Sequence, residues 1–167
     1  RDICQSLAPG AEPGAADPEP YEIRFRYAYE SETDPERLIR LYRFPCTLAA
    51  YNSVEVFYTV DQYGETKAVT FATPDLDIRY ENDDSQGKVE SMTIIGYKAS
   101  DQLLNSEFAP ETRTIHSFAK WRGVGDASSI GAWLFRGGEF TLVKYEVDAS
   151  YDGEIAHETV VDFDTGP

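Results

Sequence analysis

The segment from Lys120 to Phe140, "KWRGVGDASSIGAWLFRGGEF", places Gly123, Gly125 and Gly131 around Asp126, a density of glycine that can cradle a phosphate. A dinucleotide fingerprint requires G-x-G-x-x-G between a strand and a helix, because the free backbone N–H groups and the helix N-terminus hold the pyrophosphate. Here the third glycine position is Ser128, and "AWLFRGGEFTLV" continues as a hairpin with no helical period. The segment therefore reads as a structural turn, in which Gly123, Gly125 and Gly131 permit positive φ beside Asp126.

A second candidate is calcium. "DASYDGEIAHET" (148 to 159) puts oxygen-bearing side chains at alternate positions, Asp148, Ser150 and Asp152, ahead of Gly153, an order similar to a calcium-binding loop that wraps one hard cation. Position 12 is Thr159 rather than a bidentate Glu, the flanks look like strands, and Asp152-Gly153 is also a common hairpin signal. A calcium turn and a plain hairpin both fit. "ENDDSQG" (81 to 87) has the same ambiguity in weaker form and reads as a solvated acidic turn.

Other chemistry has little support. His116 and His157 are the only histidines, and no C-x-x-C or H-x-x-x-H spacing points to zinc. Neither histidine stands near a G-x-S-x-G element, so each reads as an ordinary strand residue, and thirty acidic side chains make any one carboxylate pair uninformative. No catalytic residue is nominated, and the reading leans away from an enzyme. Cys4 and Cys46, the only cysteines, suit one disulfide in an exported chain or two unpaired thiols.

The elements that position these residues read as strands. "YEIRFRYAYE" alternates Tyr21, Ile23, Phe25, Tyr27 and Tyr29 against Glu22, Arg24, Arg26 and Glu30, as a half-buried strand does. "RLIRLYRFPC" is read as a strand, and "SVEVFYTVD" shows Val54, Val56, Tyr58 and Val60 on one face. A Tyr63-Gly64-Glu65 hairpin leads into "TKAVTFATP"; "LDIRYEN" and "KVESMTIIGYKA" flank the acidic turn. A short helix is expected around Leu103, Leu104 and Phe108, then strands over "TRTIHSFAKW", both arms of the Gly137-Gly138 hairpin, and "DGEIAHETVVDF". About nine short strands predict an all-β, mainly antiparallel fold, a single-domain meander forming a sandwich or barrel-like sheet with at most one or two short helices.

Residues 1–20, rich in Pro, Gly and Ala, predict an extended tail ahead of one domain over 21–167. Eleven Tyr and nine Phe against one Met favour strands; exposed rings among them suit a carbohydrate or protein surface, although core packing accounts for most. With 30 acidic and 15 basic residues the net charge is -15, which repels nucleic acid and anionic membranes and suits solubility, cations or a basic partner. No apolar run is long enough to span a bilayer. The start "RDICQSL" fits a mature secreted product or a trimmed chain.

At two places the chain resembles the bacterial family known as domain of unknown function 1176. In "PCTLAAYNS", Cys46, Ala50, Tyr51 and Asn52 are similar to that family's Cys followed by Ala-Tyr-Asn. In the glycine-rich segment, Lys120, Arg122, Gly123, Gly125, Asp126, Gly131, Trp133, Phe140 and Leu142 match K-x-R-G-x-G-D and a Gly-x-Trp hairpin. The resemblance covers roughly residues 21 to 160. Family members carry a Cys directly after Gly-Asp and another near the end of the following hairpin, where this chain has Ala127 and "ASYDGE". Any disulfide here therefore uses Cys4 and Cys46. The resemblance implies an exported, periplasmic or secreted protein made with a signal peptide, and supplies no activity, substrate or catalytic residue.

The resulting expectation is a non-enzymatic exported domain that binds a macromolecular or envelope partner, for instance a basic protein such as a lysozyme. The alternative is a calcium- or small-ligand-binding β module.

Overall fold

The structure, a computed structural model, describes residues 20–163. The expected tail, except Pro20, and Cys4 of the expected disulfide lie outside the described residues. The chain is all-β. One sheet has the order β1 (Tyr21–Phe25), β2 (Arg37–Leu48), β3 (Ser53–Asp61), β4 (Thr66–Ala68). A long hairpin of β5 (Phe71–Tyr80) and β6 (Val89–Ser100) follows, its tip holding a 3-10 turn at Glu81–Asp83. Two short strands come next: β7 (Leu103–Leu104), which joins β3 in the first sheet, and β8 (Glu107–Ala109). The second sheet runs β12 (Glu158–Asp162), β11 (Glu139–Asp148), β10 (Ser128–Arg136), β9 (Thr114–Lys120), β8. All pairings are antiparallel. The two sheets pack as an open sandwich rather than a closed barrel.

The core forms because the inward faces of both sheets are apolar. Ile23 and Phe25 of β1, Leu41 of β2 and Phe57 of β3 meet Ile115 of β9, Trp133 and Phe135 of β10 and Leu142 of β11 in one buried cluster. Edge-to-face ring pairs run through it, such as Phe25 with Phe135 and Phe71 with Trp133. The β5–β6 hairpin is tied on by Ile94, which packs against the core, by Trp133 Nε1 donating to the Ala72 carbonyl at 2.8 Å, and by the Tyr80 hydroxyl donating to the Ala149 carbonyl at 3.0 Å.

Four expectations differ from the observed elements. "TKAVTFATP" is not one strand: it breaks at Val69-Thr70, and β5 runs on through Pro74 into "LDIRY". The first strand stops at Phe25, because the Glu30 carboxylate accepts the Tyr27 N–H at 2.7 Å and turns the chain. The helix expected around Leu103 to Phe108 is two short strands: Leu103 and Phe108 both insert into the core, and between them Asn105 takes φ 43°. In β3 both faces are buried, Val54 and Val56 against Cys46 on one side and Glu55 and Phe57 on the other. Cys46 is the extra residue of a bulge, since Pro45 faces Glu55 and Thr47 faces Val54. Pro45 lies beyond the last β1–β2 pair, at Leu41, so among the described residues its missing N–H costs no ladder bond to β1.

Strand directions sort the loops into two ends. Loops 49–52, 121–127 and 149–157 share one end; loops 26–36, 62–65 and the Gly137-Gly138 turn share the other.

Candidate functional site

The glycine-rich loop 121–127 joins β9 to β10 and closes on itself, Trp121 N donating to the Ala127 carbonyl at 2.9 Å and Gly125 N to the Arg122 carbonyl at 3.0 Å. Gly125 has φ +78°, a conformation L side chains rarely adopt, so the positive-φ role falls on this glycine. Gly123 serves clearance instead: a Cβ there would lie 3.0 Å from a ring carbon of Tyr51. Gly131 departs from its expected place in a turn. It lies within β10, where the Trp133 indole crosses it so closely that a Cβ would come within 2.2 Å of the ring.

The loop's anion is the protein's own. Asp126 is 1% exposed. Arg122 Nε donates to its Oδ1 at 2.7 Å, Arg122 Nη2 donates to its Oδ2, and Gly153 N donates to Oδ2 at 2.9 Å. The Arg122 hydrogen bonds, aided by the N–H groups of Ala127 and Gly153, overcome burial and hold the Asp126 carboxyl well below the usual carboxylate range. Arg122 also donates to the Tyr151 carbonyl at 2.9 Å and lies over the Tyr151 ring at 5.2 Å. Asp126 thus latches loop 121–127 to loop 149–157 and occupies the donors that a bound phosphate would need.

Loop 149–157 contains the calcium candidate. Asp148 Oδ1 accepts the Ser150 N–H at 2.9 Å and the Ser150 hydroxyl at 2.6 Å, and Oδ2 accepts the Ala156 N–H at 2.6 Å. Burial raises the Asp148 pKa, but the Ser150 hydroxyl and the two N–H groups outweigh it and the net shift is downward. Asp152 Oδ1 accepts the Glu154 N–H at 2.9 Å, so it braces its own turn rather than converging with Asp148. A cation held by Asp148, Ser150 and Asp152 would have to replace these donors. In the 81–87 turn, Asp84 likewise accepts the Gln86 N–H.

The structure also joins residues that sequence separates. His157, expected in a strand, lies in the loop before β12, its Nε2 2.9 Å from Ser128 Oγ, while that hydroxyl donates to the Asp126 carbonyl at 3.2 Å. Ser128 is fully buried, so this pair knits the two loops and offers no nucleophile to a substrate. His116 is on β9 with its side chain exposed.

A second buried network ties in the third loop. Asn52 Nδ2 donates to the Lys120 carbonyl at 2.9 Å, and its Oδ1 accepts Lys120 N at 3.0 Å and Asn105 Nδ2 at 2.7 Å. Asn105 Nδ2 also donates to the Phe118 carbonyl. Beside it, buried Glu55 accepts the Ser106 N–H at 2.9 Å, the Ser106 hydroxyl at 3.0 Å and the Ser53 hydroxyl. Alternation along β3 could not reveal Glu55, since its position looks solvent-facing when one face of the strand is taken as core.

These loops present large apolar side chains outward beside acidic ones. Leu48 (79% exposed), Tyr51 (52%), Val124 (75%) and Ile155 (64%) stand at this end, with exposed Asp152 and Glu154 among them. The backbone beneath is fixed by Asp126 and Asn52, so the apolar side chains stand on a braced platform. No curated protein and no solved structure matches the chain. A family model described as Protein of unknown function (DUF1176) matches residues 30–157. That span contains both buried latches and all three loops, and the chain belongs to the DUF1176 family.

Proposed function

We propose that this chain is an exported, non-enzymatic binding domain that docks a basic macromolecular or envelope partner through loops 49–52, 121–127 and 149–157. The observation that carries the reading is Tyr51, Val124 and Ile155 exposed on loops already locked by buried ion-pair and amide networks, with Leu48 exposed at the adjoining end of β2. Apolar and aromatic anchors with a polar rim supply most interface energy, and a pre-ordered platform lowers the entropic cost of binding. The charge of -15 steers a basic partner and disfavours an acidic one.

Lysozyme is a suitable basic probe. Calorimetry at low ionic strength should detect binding that weakens steeply as salt is raised. A Val124→Ser, Ile155→Ser double variant, which removes the apolar contacts without changing the charge, should lose at least about tenfold in affinity, a cost of about 1.4 kcal/mol, while keeping its melting midpoint. Failure to bind lysozyme and a panel of basic envelope proteins at low salt would overturn the reading. Fractionation of cells making the full-length protein tests export, and recovery in the cytosol would sink that part.

A further inference from the structure

The opposite end of the sandwich is built differently. Loop 26–36 presents Tyr29, 81% exposed, its ring stacked on Tyr27 with centroids 5.3 Å apart and planes inclined by 7°. The loop beneath is pinned. Tyr27 N donates to Glu30 Oε2 at 2.7 Å, Glu30 N returns to the Tyr27 carbonyl at 3.0 Å, and Arg37 Nη2 donates to Glu30 Oε1 at 2.6 Å. Arg26 Nε and the Ser31 N–H fix Asp34 in the same loop, each at 2.7 Å. Arg37 also lies over the Tyr27 ring at 4.9 Å. An exposed ring normally costs entropy to immobilise; this one stands on a stacked neighbour and a doubly bonded turn.

Beside it lies a shallow groove of about 220 Å³. Thr59 and Thr70 supply hydroxyls, Phe140 supplies an apolar patch, and Lys67 and Glu139 form an exposed ion pair at 3.1 Å across it. Gly138 joins groove to platform: it lines the groove, and a Cβ built on it would lie 3.3 Å from both the Tyr27 hydroxyl and a Tyr27 ring carbon. A second exposed ring, Tyr63, stands in loop 62–65 at this same end.

We propose that this end is a saccharide-binding site, in which Tyr29 stacks on one pyranose ring and the neighbouring groove hydrogen-bonds the hydroxyls of the next. The combination fits sugar chemistry. The electron-rich ring face attracts the C–H bonds of a pyranose, and hydroxyls that both donate and accept match Thr59, Thr70, Lys67 and Glu139. The groove is too open to enclose a ligand by apolar burial, which suits a polar chain lying along the surface. Net charge selects among sugars: a chain at -15 repels uronic-acid and sulfated polymers, leaving neutral oligosaccharides.

The test uses the neutral hexasaccharides cellohexaose, xylohexaose and chitohexaose at millimolar concentration, read by calorimetry and by saturation-transfer NMR on the protein's tyrosines. At least one is expected to bind in the millimolar to submillimolar range. Tyr29→Ala should weaken it by about tenfold or more without moving the melting midpoint, and Tyr29→Phe should keep it, since the stacking face survives. Absence of binding by all three sugars, or equal binding by Tyr29→Ala, would overturn the proposal. The lysozyme experiment probes the other end of the molecule, so the two readings fail separately.

Discussion

Gly131→Ala tests the closest approach in the core. An ideal Cβ at residue 131 would lie 2.2, 2.6 and 3.1 Å from three carbons of the Trp133 six-membered ring, where ordinary carbon contacts are about 3.5–4.0 Å. The indole would have to retreat by more than about 1 Å. It has nowhere to go: Trp133 is 1% exposed, Phe71 stands 5.4 Å and Tyr145 6.5 Å from it, and Nε1 is bonded to the Ala72 carbonyl at 2.8 Å. Overpacking of this kind costs about 1–3 kcal/mol, and breaking the buried Nε1 bond adds about 1–3 kcal/mol more. We expect a loss of about 3 kcal/mol, equivalent to roughly 6–12 °C in melting midpoint for a domain of this size. Urea denaturation followed by circular dichroism measures it. In a Trp133→Phe background the smaller ring makes room, and the same glycine substitution should cost less than about 1 kcal/mol. A Gly131→Ala protein within about 0.5 kcal/mol of the parent, or an equal cost in both backgrounds, would refute the clearance argument.

Asp126→Asn should destabilise the protein in a pH-dependent way. The folded-state pKa of Asp126 is depressed below its unfolded value of about 3.9, so its contribution is complete above that pH and declines as pH falls through the folded pKa. The stability gap between parent and variant in urea titrations should therefore be wide at neutral pH and narrow in strong acid; a gap independent of pH contradicts the assignment. Asn52→Ala leaves Lys120 N and Asn105 Nδ2 short of a buried acceptor and should cost about 1–3 kcal/mol by denaturant titration, with no loss at all sinking the idea that Asn52 braces this end. Calcium at millimolar concentration should leave the melting midpoint in place, because Asp148 already accepts three donors. A saturable upward shift would show that loop 149–157 remodels around the ion.

Several features were legible because they are local. The alternation of Tyr21, Ile23 and Phe25 marks β1 and its core face, and Gly137-Gly138 marks the β10–β11 hairpin, both glycines taking positive φ. The expected helix at residues 103–108 failed because Leu103 and Phe108 satisfy helical and extended spacing alike, and it is packing against Phe57 and Ile115 that chooses. Glu55 escaped notice for the related reason that a period-2 pattern cannot announce that both faces of a strand are covered.

Sequence by itself determined an all-β chain, strongly acidic, with its turns marked by Gly, Pro, Asn and Asp, since each of these follows from neighbours a few residues apart. Tertiary structure alone decided the partners: Asp126 with Gly153, Ser128 with His157, Asn52 with Lys120, Gly131 beneath Trp133. The first three pairs are separated by 27, 29 and 68 residues and are joined only after the sheets have packed. The glycine spacing that suggests a phosphate loop becomes, once Arg122 and Asp126 are seen together, a latch that carries its own anion. Local patterns are set by backbone geometry, whereas the identity of a buried polar partner depends on which distant donor the packed core brings within hydrogen-bonding reach.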